Sequence, residues 1–105
     1  MGKEIRAVDG RGYVVSCSAA YWESHVLRRH PDLQGHEDDA RRAIEESRPI
    51  FASKTAAGRC VYYGRLTGRS PEIKVVVAFD ANNVGLVVSV SACSRRPGGE
   101  AIIWP

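Results

Sequence analysis

The spacing of apolar positions changes part-way along the chain, at Pro49. Before it, apolar residues recur at helical intervals; after it they alternate as strands do. Ala40, Ala43, Ile44 and Ser47 fall on one face and predict a helix from about His36 to Ser47. Glu37, Asp38 and Asp39 open that helix and Arg48 follows it, which suits the helix dipole. Glu37–Arg41 and Asp38–Arg42 are four apart, so this charge run reads as a solvated face. An earlier helix is expected from about Ala19 to Arg29, capped by Ser16 or Ser18. Pro31 stops it, because the residue before a proline is pushed out of the helical region. Ahead of both, residues 3–8 and 12–16 flank the turn signal Asp9-Gly10-Arg11-Gly12 and read as a small hairpin or two short extended pieces.

Beyond Pro49 the pattern predicts four strands, Ile50–Ser53, Arg59–Leu66, Glu72–Asp80 and Leu86–Cys93, with a last extended piece at Ala101–Trp104. Their connectors are short and rich in Gly, Ser, Pro and Asn, which favours antiparallel neighbours. The expected fold is a single α+β domain. Residues 1–17 form extended segments, residues 18–48 two helices, and residues 49–105 a four-stranded antiparallel sheet with both helices on one face.

Alternation sorts the sheet faces. Ile73, Val75, Val77 and Phe79 share one face of their strand, as do Leu86, Val88, Val90 and Ala92 of the next. Cys60, Tyr62 and Leu66 belong with them, and this apolar face is expected to meet the helices. The opposite face carries Arg59, Tyr63, Arg65, Lys74, Ser89 and Ser91. Guanidinium groups, an aromatic ring and hydroxyls together suit single-stranded RNA, whose phosphates and unstacked bases they contact. The same composition also fits the wet side of a one-faced sheet.

A chain of 105 residues is enough for one domain, and 44% hydrophobic with 26% charged residues is ordinary for a globular protein. No apolar run approaches the roughly 18 residues of a membrane span, and the N-terminus lacks the apolar core of a signal peptide. No membrane association is therefore expected. The net charge is +3, and residues 50–105 carry seven Lys/Arg against three Asp/Glu, a bias that suits an anionic partner. Cys17, Cys60 and Cys93 lie far apart with no CxxC spacing, which argues against a disulfide or zinc framework, and Cys60 and Cys93 read as small buried hydrophobes in a reducing cytoplasm.

His25, His30 and His36 are spaced H-x4-H-x5-H, which places no pair of them at the helical interval that metal ligands need. No metal or other cofactor is expected. His30 shares the arc of Ala19, Trp22 and Val26, whereas His25 points away beside Arg29. Either imidazole is a candidate for proton transfer near neutral pH. Cys17 precedes a helix as thiol nucleophiles do, but no histidine follows His36 to serve as its base.

The run Tyr21-Trp22-Glu23-Ser24-His25-Val26-Leu27-Arg28-Arg29-His30-Pro31-Asp32-Leu33 resembles a W-x-x-H-I-x-x-x-H-P-E-L signature. That signature belongs to small phage and bacterial domains of the barnase–EndoU–colicin–RelE (BECR) nuclease superfamily. The stretches Val61-Tyr62-Tyr63-Gly64, Gly85-Leu86-Val87-Val88-Ser89 and Gly98-Gly99-Glu100-Ala101-Ile102-Ile103-Trp104 resemble later segments of the same domains. The resemblance implies a RelE-like fold and a metal-independent, toxin-like endoribonuclease. In such an enzyme the ribose 2′-OH attacks the adjacent phosphorus. By position it implies His30 or His25 for proton transfer, and Tyr63 with Ser89 or Ser91 to orient the phosphate. It further implies Arg29, Arg59 and Arg95 as phosphate contacts; Arg65 and Lys74 join them as substrate-binding candidates from the alternation of the sheet face alone. An antitoxin or immunity protein is the partner it implies, alongside RNA. The alternative is a non-catalytic RNA- or protein-binding module.

Overall fold

Asp9 organises the first turn. Its Oδ1 accepts from the backbone N–H of Arg11 (2.8 Å) and of Tyr13 (3.1 Å). Its Oδ2 accepts from Arg11 Nε (3.1 Å), Arg11 Nη2 (2.8 Å) and the Tyr62 hydroxyl (2.8 Å). These five donors hold the hairpin of β1 (Ile5–Val8) and β2 (Val14–Cys17) and fasten it to β4 (Arg59–Gly64). The Arg11 guanidinium lies 4.5 Å from the centre of the Tyr13 ring, which covers its face. This computed structural model describes residues 3–54, 56–68, 72–93 and 100–105.

The remaining strands are β3 (Ile50–Ala52), β5 (Glu72–Phe79), β6 (Gly85–Cys93) and β7 (Ile102–Trp104). They form one seven-stranded sheet in the order β1-β2-β6-β5-β4-β3-β7. This overturns the four-stranded antiparallel sheet expected from the sequence. The stretch β3 to β6 is antiparallel, as its short connectors require. The N-terminal hairpin, however, joins the same sheet through a parallel pairing, Val15 with Gly85 and Ser16 with Leu86. At the far edge β7 runs antiparallel to β3. The sheet is therefore mixed, and the expected RelE-like layout does not describe it.

The helices are short. The first runs as α-helical Ala19–Tyr21, a π-helical turn Trp22–Val26 and α-helical Leu27–Arg29. Of the two candidate caps, Ser18 accepts from Tyr21 N–H (3.0 Å). A 3-10 turn, Pro31–Leu33, leads to the second helix, Glu37–Glu46. Trp22 and Val26 from the first helix, and Ala40, Ala43 and Ile44 from the second, enter one core with Ile5, Val15, Ile73, Val75, Val77 and Val90. The charge run that opens the second helix is not simply solvated, because Glu37 and Asp39 are buried.

Face sorting holds along β5, where Ile73, Val75 and Val77 are buried and alternate with half-buried neighbours. It fails at the start of β6. Val76 faces Ser89 while Val77 faces Val87, so Val88 is an extra residue, a β-bulge. The bulge shifts the alternation by one. Gly85 and Val87 turn inward, and Leu86, expected against the helices, is 62% exposed. Among the described residues no helix is long and apolar enough to cross a membrane.

The second helix packs so closely on β4 that a Cβ at Gly64 would lie 2.8 Å from Ala43 Cβ and 3.0 Å from its Cα. The obstacle includes backbone, which cannot rotate aside. Gly64→Ala is expected to destabilise by about 1–3 kcal/mol, the ordinary cost of overpacking. Urea denaturation measures it; a midpoint equal to wild type would show that the helix can slide.

Candidate functional site

The strand register groups the predicted site residues on the face away from the core. Tyr63, Lys74 and Ser91 lie opposite one another in one cross-strand row. Val61, Val76 and Ser89 form the next row, and Arg59, Ala78 and Leu86 a third. Residues directly opposite share a face, so Arg59, Tyr63, Lys74, Ser89 and Ser91 do occupy one side of the sheet. They do not form one site. Arg59 and Tyr63 are four residues apart on a strand, about 13 Å.

The Tyr63 end is covered. Tyr63 is 2% exposed, its ring meets Phe51 edge-on (centroids 5.6 Å), and its hydroxyl donates to Glu100 Oε1 (2.6 Å). Lys74 Nζ stands 3.9 Å from the other oxygen of the same carboxylate, whose side chain is 4% exposed. Tyr63 therefore acts as a floor for the C-terminal segment and does not reach a ligand. Arg65 is exposed just beyond β4, turned to the end of the second helix rather than to this row. Arg95 lies outside the described residues.

The Arg59 end is open, and the first helix closes on it. Where β2 leaves β6 after Ser16–Leu86, the Tyr21 hydroxyl donates to the Val88 carbonyl at the bulge (2.7 Å). His25, one turn on within the π-helical segment, stacks on the Tyr21 ring with centroids 4.7 Å apart and planes at 22°. Burial and the neighbouring Cys17 push the Tyr21 phenol up, while the charges of Arg29 and Arg59 pull it down; the net shift is upward, so it stays a donor. The charges of Arg29 from the helix and Arg59 from the sheet are thus both felt at the Tyr21 phenol. A groove of about 470 Å3 opens beside it, walled by Ser16, Ser18, Ala78 and Leu86 with Glu4 at its rim. Ser89 follows the bulge on the same outer face.

His30 is half-buried at the end of the first helix, its backbone N–H donating to Val26 O (2.8 Å). Cys17 is buried and its thiol is pushed up by burial to about 11. A buried thiol shifted this way disfavours the thiolate at neutral pH, which weighs against the thiol-enzyme reading. Trp22 Nε1 is the one fully buried side-chain nitrogen or oxygen among the described residues with no hydrogen-bond partner. It sits at the start of the π-helical turn, a feature often found at functional positions.

Two polar clusters escaped the sequence reading. One is the Asp9–Arg11–Tyr62 group already described. In the other, Asp39 accepts from His36 Nδ1 (2.6 Å), Thr67 N–H (3.1 Å), Thr67 Oγ1 (2.7 Å) and the Arg42 guanidinium. Burial alone would raise this carboxyl, but the bonds from His36 and Thr67 and the charge of Arg42 outweigh it and hold it below the usual carboxylate range. The H-x-x-D spacing of His36 and Asp39 on one helical face was the available signal.

No protein-family model, curated protein or solved structure matches this chain.

Proposed function

We propose that the protein is a metal-independent endoribonuclease working at the groove beside the first helix. The observation that carries this reading is the stacking of His25 on the Tyr21 ring beside the groove, with the charges of Arg29 and Arg59, from opposite halves of the chain, both felt at the Tyr21 phenol. An imidazole beside two guanidinium groups is what internal phosphodiester transfer needs. His25 removes the proton of a ribose 2′-OH, and the 2′-oxygen attacks phosphorus. The bond from phosphorus to the 5′-oxygen breaks, and that oxygen takes a proton from water at the open side of the groove. Arg29 and Arg59 offset the charge of the phosphorane, and the Ser89 hydroxyl orients a phosphate oxygen. The products are a 2′,3′-cyclic phosphate and a free 5′-hydroxyl.

A second reading, a binding module for a protein partner such as an antitoxin, draws on Leu86, which is 62% exposed in the wall of the same groove. A long single-stranded RNA incubated with purified protein and excess EDTA decides between them. Cleavage supports the nuclease. Intact RNA throughout pH about 5 to 8, the window in which imidazole changes charge, supports the binding module.

A further inference from the structure

Away from that groove, two hollows meet at Arg42 and Thr67. The larger, about 520 Å3, lies between the end of the second helix and the exit of β4. Its rim carries Arg42, Arg48 and Arg65, with Glu46 as its carboxylate. The smaller carries His36 with Asp38 and Asp39. We propose that this trough is a binding site for a phosphate group.

Its three guanidinium groups come from three separate places: the second helix, the link into β3, and the residue after β4. Nothing in local sequence spacing brings them together; the fold does. Two of the cationic groups are held in place. Buried Asp39 fixes Arg42 and the His36 ring, and the Arg48 guanidinium lies 4.7 Å from the centre of the Trp104 ring. Arg48 and Arg65 have no ion-pair partner among the described residues. Against their two charges stand Glu46 and the helix C-terminus, the latter worth about half a negative charge. The balance stays positive by about half a charge once Arg42 is set against Asp39, and Asp38 against Lys3, with which it pairs at 3.0 Å. The resulting affinity is modest and salt-sensitive, but fork-shaped donors still favour a phosphate over a spherical anion. The volume lies within the usual range for small-ligand sites.

The phosphate can be a free monoester-like anion or a diester in an RNA backbone, and the test separates them. Inorganic phosphate is titrated into the full chain at constant ionic strength, balanced with chloride, while the backbone amide signals of Ser47, Arg48, Gly64, Arg65 and Thr67 are followed. Saturable shifts confined to these residues are expected. Arg48→Gln and Arg65→Gln, both at exposed positions, are each expected to weaken binding about 10- to 100-fold, the worth of a charge-assisted hydrogen bond. A parallel titration uses a short single-stranded RNA without terminal phosphates. Response to inorganic phosphate alone assigns a free anion, and response to the RNA assigns a backbone contact. His25→Ala is expected to leave these shifts unchanged, so failure of the nuclease reading would not touch this one. The proposal is overturned if neither probe gives saturable shifts at the trough, or if both glutamine variants bind as wild type does.

Discussion

His25→Ala is expected to lower the rate of the proposed RNA cleavage by about 10²–10⁴-fold, the usual worth of a positioned general base. Stability changes little in the same variant, because the half-buried ring gives up only its stack on Tyr21. An aromatic pair of this kind contributes about 0.5–1.5 kcal/mol. Rate and melting temperature measured on one preparation therefore move by very different amounts. A histidine with a purely structural role gives the opposite result: melting temperature falls and the rate per folded molecule is unchanged. His30→Ala is the internal comparison. His30 terminates the helix and has no contact with the Tyr21 ring, so its loss is expected to alter stability more than rate.

Asp9→Ala is the largest expected loss of stability, about 3–5 kcal/mol, the range for removing one partner of a buried charge pair. The substitution leaves the Arg11 guanidinium, the Tyr62 hydroxyl and two backbone N–H groups without their common acceptor. Burial pushes Tyr62 up so strongly that its phenol remains protonated and gains nothing by losing Asp9 as acceptor. In a domain of this size the loss lowers the melting temperature by on the order of 20 °C. The pH dependence has a definite sign. Burial alone would raise the Asp9 carboxyl, but Arg11, Tyr62 and the two backbone donors hold it below its ordinary value. Its contribution is therefore complete above the unfolded value of about 3.9 and is lost as pH falls through the lower folded value. Asp39, also lowered, adds to the same acid limb. Asp9→Asn is expected to flatten that limb in part, leaving the share due to Asp39. Melting curves from neutral to acid pH on wild type and both variants check this; an Asp9→Ala protein within about 0.5 kcal/mol of wild type would show that the cluster is ornamental.

The strands from β3 to β6 were legible because each is an alternating run between strong turn residues, and both properties are local. The parallel contact of β2 with β6 was not, since no local pattern announces pairing between residues about 70 apart. The bulge at Val88 was hidden for a related reason. The alternation from Leu86 to Ala92 is equally good on paper with or without a skipped residue, yet the skip decides whether Leu86 faces the core; here Leu86 faces out. Tyr63 shows how face and access differ: the alternation put it on the outer face, but Phe51 and Glu100 cover it there. Asp9, read only as part of a turn signal, and Asp39, read as part of a solvated charge run, are buried because partners such as Tyr62 and Thr67 arrive from distant positions.

In the proposed mechanism a ribose 2′-OH attacks its own neighbouring phosphate, assisted by His25. A short single-stranded RNA in which every ribose but one carries a 2′-O-methyl group tests it most directly, in excess EDTA with analysis of the cleaved ends. The expected result is cleavage only after the unmodified ribose, leaving a 2′,3′-cyclic phosphate on one product and a 5′-hydroxyl on the other. Cleavage at the methylated positions, or an RNA left whole at a protein concentration that binds it, would contradict the account.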